Sequence, residues 1–307
     1  MARRRVARPV VTYIVPPPLS SIPAERAQLE YSSRSIAFAD DGRRLLRAWG
    51  PPDRPWALAV EPGGNRWRVE AWGATPAEAR AAARALFSLD HRLDEFYRLV
   101  RAEPVLRGTD RRFRGLRLPR DASVYESLLY AIIGQQLSVA SASAILRRLM
   151  LRAGGHLDAG GIELPLVPTP RRLAALAPDE LRALGLSRAK ASALRGLAAW
   201  ASADPPSTRR LRDLRLHAAT EMLDALPGVG RWTAENALLR GAGRTDVFVA
   251  GDLGVRVALE RYAGIRRVRP EEEARAWAAR HYPGWGSYAT LYLWRKLVTD
   301  RTGTAAG

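Results

Sequence analysis

The sequence predicts an α+β N-terminal domain, strands followed by helix, and then a mainly α-helical core. Three observations predict it. Residues near 56–71 alternate apolar and polar with period two around a Pro-Gly turn. From about Ser123 onward the chain offers one helix start after another, each opened by a hydroxyl residue or a proline. One late helix is broken at Pro227-Gly228 and restarts within a few residues, which makes a helix–hairpin–helix.

Taken in order, residues 1–30 read as a basic arm without regular structure, ending beyond the run Pro16-Pro17-Pro18. Residues 31–115 form the α+β domain. Trp56-Ala57-Leu58-Ala59-Val60 is a short apolar run and Pro62-Gly63-Gly64-Asn65 a turn. Trp67, Val69 and Ala71 then alternate with Arg66, Arg68 and Glu70, as in a hairpin with one buried face. Thr75-Pro76-Ala77-Glu78 combines a hydroxyl cap, a first-turn proline and a third-position glutamate, and opens a helix reaching about Leu89. Residues 116–300 form the helical core. Ser123 and Glu126 make a second capping box before the stripe Leu128, Leu129, Ile132 and Ile133. A helix begins near Ser138, and a Gly/Pro-rich loop fills 154–170. Thr169-Pro170, Pro178-Asp179-Glu180 and Ser187 open further helices, the last running toward Trp200. Others are expected near 217–226, 231–242, 270–281 and 287–299.

Composition narrows the function. The 307 residues carry 49 Lys and Arg against 31 Asp and Glu, a net charge of +18. Such a balance points to a polyanionic partner, nucleic acid first. A coding bias toward arginine, alanine and glycine accounts for part of it, because Lys190 and Lys296 are the only lysines. The chain has no cysteine, which excludes disulfides, zinc–cysteine sites, iron–sulfur clusters and thiol nucleophiles, and suits a reducing compartment. His91, His156, His217 and His281 show no metal-ligand spacing, so no catalytic metal is expected. There is no phosphate-loop motif, no secretory signal and no run of about 18 apolar residues. The expectation is a cytoplasmic monomer without membrane contact.

The most informative stretch is Leu226-Pro227-Gly228-Val229-Gly230-Arg231-Trp232-Thr233-Ala234-Glu235. Gly228 and Gly230 lack Cβ atoms, so both can adopt left-handed torsions and admit another backbone closely. The amides at the following helix start then suit a phosphate oxygen. The plain alternative is a tight helix corner. Some twenty residues on, Val247-Phe248-Val249-Ala250 leads into Gly251-Asp252-Leu253-Gly254, an acid flanked by glycines within reach of the restarted helix. By itself, Asp252 also reads as the cap of a helix from Leu253 onward. Asp246 is the nearest competing acid, and a turn role suits it better.

Here the sequence resembles the AlkA-like 3-methyladenine DNA glycosylases of the helix–hairpin–helix superfamily. Three segments align in order: Gly115-Leu116-Arg117-Leu118-Pro119 with Ala131-Ile132-Ile133-Gly134-Gln135-Gln136-Leu137-Ser138; the hairpin through Asp252; and Trp285-Gly286-Ser287-Tyr288-Ala289 with Leu293-Trp294. The resemblance covers roughly 110–295. It also fits 32–110, where the family carries a small antiparallel-sheet domain, and it says nothing of the first 30 residues.

The resemblance implies a monofunctional base-excision enzyme acting on alkylated purines in duplex DNA. Asp252 would be the carboxylate that stabilises positive charge on the sugar as the base leaves. Trp232 and Trp285 would line the base pocket, where indole faces attract a cationic purine. Asn236 would face the same pocket from one turn on; relatives can carry an aromatic there, so base preference is the point of departure. The wedge that fills the gap left by a flipped base falls on Gln136, where the AlkA type has an apolar residue, with Leu137 the neighbouring alternative. Amides of Gly228, Gly230 and Trp232 would hold phosphate. Carbonyls of Asp224, Leu226 and Val229 would hold a monovalent cation, sodium or potassium; no cofactor is otherwise required. Bifunctional relatives use a hairpin lysine where this chain has Trp232, so no strand cleavage is expected. Two alternatives stand beside this reading: a glycosylase for oxidised or deaminated bases, and a catalytically silent DNA-binding protein.

Overall fold

The computed structural model describes residues 8–17, 37–51, 53–266 and 271–302. Strands Val10–Ile14 (β1), Phe38–Asp40 (β2), Leu45–Trp49 (β3), Trp56–Glu61 (β4) and Trp67–Trp72 (β5) form one antiparallel sheet in the order β1-β5-β4-β3-β2. The expected hairpin is β4–β5, with Val60 opposite Val69 and Glu61 opposite Arg68. The basic arm needs correction. Its residues 10–14 are the edge strand β1, pairing Val10 with Ala71 and Ile14 with Trp67. Val11 and Tyr13 face outward from that edge. The rest of the expected arm, 1–7 and 18–30, lies outside the described residues.

The hairpin is buried on both faces rather than one. Leu58, Val60, Trp67 and Val69 pack with Ala79, Ala82, Ala83 and Leu86 of the helix Pro76–Leu86 (α1). Leu46, Ala57, Ala59 and Trp72 on the opposite face pack with Ala159 and Leu164. Leu164 lies on, and Ala159 in the turn of, a small antiparallel ribbon, His156–Asp158 (β6) and Glu163–Pro165 (β7), within the stretch expected to be loop. Small residues at 57 and 59 let the ribbon approach. The Trp72 ring lies against Gly160, where a Cβ would come within 3.2 Å of it. The predicted capping box of α1 is present: Thr75 Oγ1 accepts from the Glu78 amide, and Glu78 Oε2 accepts from the Thr75 amide. The helix ends at Leu86, short of Leu89, and Ser88 beyond it takes a positive φ of 47°.

The core comprises Asp94–Ala102 (α2), Thr109–Arg112 (α3), Val124–Gly134 (α4), Val139–Leu149 (α5), Pro170–Ala174 (α6), Pro178–Ala183 (α7), Arg188–Ser202 (α8), Thr208–Asp213 (α9), Leu216–Asp224 (α10), Arg231–Ala237 (α11), Leu253–Ala263 (α12), Glu271–His281 (α13) and Gly286–Thr302 (α14). Met150–Gly154 and Leu238–Ala242 continue α5 and α11 as π-helical turns. Ser123, Ser138, Thr169 and Ser187 each accept a hydrogen bond from the amide three residues on, as their positions predict. Helix α2, placed by the sequence division in the N-terminal domain, packs into the helical core through Phe96, Tyr97 and Val100.

Helix α4 runs through the centre, and every residue from Val124 to Ile133 is buried. The box expected at its start is half made. The Glu126 amide donates to Ser123 Oγ, but the Glu126 carboxylate is engaged elsewhere. It accepts from Tyr130 Oη (2.7 Å), from the Ala122 amide (3.3 Å) and from Nη2 of the buried Arg47 (2.5 Å) on β3. This glutamate therefore ties the sheet to the core. No helix among the described residues is long and apolar enough to cross a membrane.

Candidate active site

The hairpin is built by what its residues cannot do. Pro227 has no N–H, so it gives no hydrogen bond to the carbonyls of Leu223 and Asp224, and α10 stops. Gly228 turns the chain at φ +77°, and the Val229 amide closes the turn on the Leu226 carbonyl at 2.9 Å. A Cβ on Gly228 would lie 2.4 Å from the Cβ of Ala193 on α8. Gly230 differs from the expectation: it is extended, φ −92°, and a Cβ there would meet nothing within 4 Å. Only the first glycine answers to torsion and packing. The second leaves open space before α11. The Thr233 and Ala234 amides fold back onto the Gly230 carbonyl (2.8 and 3.0 Å). Those of Gly230, Arg231 and Trp232 meet no carbonyl among the described residues.

Asp252 is the N-cap of α12 and more. Its Oδ1 accepts from the Val255 amide (3.1 Å) and from Nε1 of Trp294 (2.8 Å) on α14. Its Oδ2 accepts from Nε1 of Trp232 (3.1 Å) on α11. One carboxylate thus gathers three helices. The glycines on either side leave little room for a side chain. A Cβ on Gly254 would lie 3.1 Å from Asp252 Oδ1 and 3.2 Å from the Trp294 ring, and one on Gly251 would lie 2.7 Å from Glu271 Oε1. The buried guanidinium of Arg240 stands 5.6 Å over the Trp294 ring. Asp252, Trp232 and Trp294 all remain partly exposed.

The other expected site residues divide. Asn236 is buried on α11 and donates from Nδ2 to the Trp232 carbonyl at 2.9 Å. Trp285 is 9% exposed and packs edge-on against Tyr288 (5.5 Å) and tilted over Phe96 (6.0 Å). No hydrogen bond or ring contact among the described residues joins Trp285 to Asp252 or Trp232. Asp246 is engaged by a two-pronged pair from Arg244 (2.8 and 2.6 Å), in keeping with a turn role. Gln136 and Leu137 lie together at an exposed turn. Lys296 donates to the Val105 carbonyl, and Lys190 donates to carbonyls at the end of α4.

The residue that sequence reasoning missed is Trp294. It stands in the sequence only as part of Leu293-Trp294, 42 positions beyond the acid it holds. The contact exists because α14 packs along α12.

Fold and site together define a helix–hairpin–helix protein with a carboxylate held beside the hairpin. Residues 129–282, half of the chain, match the HhH-GPD superfamily of base excision DNA repair proteins, and the chain belongs to that family. It is 28% identical over 211 residues to the DNA-3-methyladenine glycosylase of Bacillus subtilis, covering 69% of each chain. It is 36% identical over 180 residues to DNA-3-methyladenine glycosylase 2 of Escherichia coli, covering 59% of this chain and 60% of that one. It shares its fold with the 3-methyladenine DNA glycosylase from Archaeoglobus fulgidus at a TM-score of 0.81 and 25% identity, covering 95% of this chain and 99% of that one.

Proposed function

We propose that the protein is a monofunctional DNA glycosylase that flips alkylated purines of the 3-methyladenine type out of duplex DNA. It hydrolyses their N-glycosidic bond and leaves an abasic site. The observation that carries this is the Asp252 carboxylate, oriented by two indole N–H groups and a helix N-terminus near the Pro227-Gly228 hairpin. Oδ1 already takes two hydrogen bonds and Oδ2 one, so Oδ2 has a lone pair left over for substrate. Held in advance, it stabilises the charge that grows on the sugar as the base departs, and it orients the attacking water. An alkylated purine is already cationic and leaves readily, so the site has little need of a general acid.

In the same reading Trp232, Trp285 and Asn236 form the base pocket. The Trp232 face attracts a cationic ring while its edge holds Asp252. Gln136, or Leu137 beside it, fills the space of the flipped base. Amides at Gly228, Gly230 and Trp232 grip phosphate, and the surface arginines add sequence-independent attraction. The carbonyls of Asp224, Leu226 and Val229 fit a monovalent cation. Pro227 gives no hydrogen bond to the first, and neither the first nor the third accepts a backbone hydrogen bond among the described residues. With no lysine at the hairpin, the abasic strand stays intact. The protein works as a cytoplasmic monomer.

The test is base release from methylated duplex DNA, followed by chromatography. Wild type should release methylated purines with no nicking before alkali. Asp252→Asn should release them slower by about 10²–10³-fold or more. Equal release by both proteins, or strand nicking without alkali, would overturn the reading.

A further inference from the structure

The turn that would enter DNA is held by a side chain with no assigned role. Lys190 lies in the first turn of α8, the positive end of that helix, where a cation is disfavoured. Its chain leaves the helix. Nζ donates to the carbonyls of Ile133 (2.8 Å) and Gln135 (2.7 Å), at the negative end of α4. Gln135 donates in turn from Nε2 to the Gly228 carbonyl (3.0 Å) and to Thr233 Oγ1 (2.9 Å), both at the hairpin. Beyond it, Gln136 stands at φ +53°, a backbone state that favours glycine in such turns. The Leu137 amide closes the turn on the Gly134 carbonyl at 3.2 Å. Ala193, three residues after Lys190 and so on the same face of α8, is the residue that backs Gly228. One face of α8 therefore supports both the exposed turn and the hairpin.

We propose that Lys190, acting through Gln135, is a positioning residue that fixes the Gln136–Leu137 apex relative to the hairpin, so that gripping the phosphates drives the apex into the base stack. This rests on the glycosylase reading. The strained apex would otherwise relax, and the grip and the wedge would move independently.

The test compares single-turnover release of one alkylated purine from a fully paired duplex and from a duplex in which that base is unpaired. Lys190→Met should lower the ratio of the two rates by about ten- to a hundredfold, because only the paired base needs the wedge. Lys190→Arg keeps the charge and the donors and should restore the ratio. Gln135→Glu, which sets a carboxylate against the Gly228 carbonyl, should lower it again. A loss of fold or of general activity slows both substrates alike, and an unchanged ratio would overturn the proposal. Fluorescence of 2-aminopurine beside the lesion reads unstacking separately from base release. Lys190→Met should reduce the wild-type rise, and a rise equal to wild type refutes the brace. Unstacking by wild type without base release from either duplex would instead refute the glycosylase reading and leave the brace standing.

Discussion

Asp252 accepts one hydrogen bond from the backbone and two from tryptophans 20 positions before it and 42 after it. The amide bond is what any N-cap aspartate makes. The indole bonds are what set its plane. Replacing Trp294 by Phe keeps an aromatic ring beside Arg240 and removes one donor. The expected outcome is a fall in kcat of about ten- to a hundredfold with KM unchanged, since the carboxylate is misplaced while the DNA contacts stay. Steady-state kinetics on a defined lesion checks this, and a rise in KM at constant kcat would assign Trp294 to binding instead. Asp252 stands out in the sequence as an acid between glycines beyond the hairpin, and its role is implied by the family resemblance. Trp294 was not legible, because nothing in a sequence reports which face of a distant helix meets the acid. Trp285, which the resemblance places in the pocket, makes its ring contacts with Phe96 and Tyr288.

At the level of elements, the two hairpin glycines separate folding from binding. Gly228→Ala meets a positive φ and the Ala193 side chain at once. It should destabilise the protein by more than about 1–2 kcal/mol, the cost of the left-handed torsion alone. Gly230→Ala meets neither and should cost no more than about 1 kcal/mol, the difference between the two residues as a cap. Its Cβ does occupy the space where a phosphate would approach the α11 amides, so it should weaken binding to undamaged duplex. Thermal melts beside binding titrations distinguish the two variants. A Gly230→Ala protein with unaltered DNA affinity would remove the phosphate role from that turn. The helix starts were readable because a hydroxyl followed by an amide three residues on is local chemistry. The ribbon β6–β7 and the edge strand β1 were not. Strands of three residues show no period, and β1 is short, half exposed and followed by prolines. The strand β1 exists by pairing with β5, remote in sequence, and the ribbon is held by packing on the far face of the sheet.

Across the whole molecule, the net charge of +18 overstates what is offered to DNA. Arg47, Arg117, Arg120, Arg240 and Arg244 are buried and direct donors to carbonyls or carboxylates inside. Several join the sheet domain to the core. Arg47 reaches Glu126, and Arg117 Nη1 donates to the Ser88 (2.9 Å) and His91 (2.8 Å) carbonyls. His91 stands at that seam, its Nδ1 within 2.9 Å of the Tyr288 hydroxyl on α14. Burial holds its pKa down to about 4; Asp90 opposes this, and the Arg120 and Arg117 charges add to it. The native state therefore disfavours the imidazolium, whereas the unfolded chain takes up that proton near pH 6.5. Above about pH 7.5 His91 is neutral in both states and contributes almost no pH dependence. As pH falls from about 6.5 to 4 the unfolded state binds the extra proton and stability is lost, by up to about 1.4 kcal/mol per pH unit. Carboxylates titrate in the lower part of that window too, so the informative quantity is a difference. The stability of wild type minus that of His91→Gln, measured by urea unfolding, should decline from about pH 7 toward pH 4.5 and stay nearly level above about pH 7.5. A difference flat throughout would mean that the seam admits the proton freely.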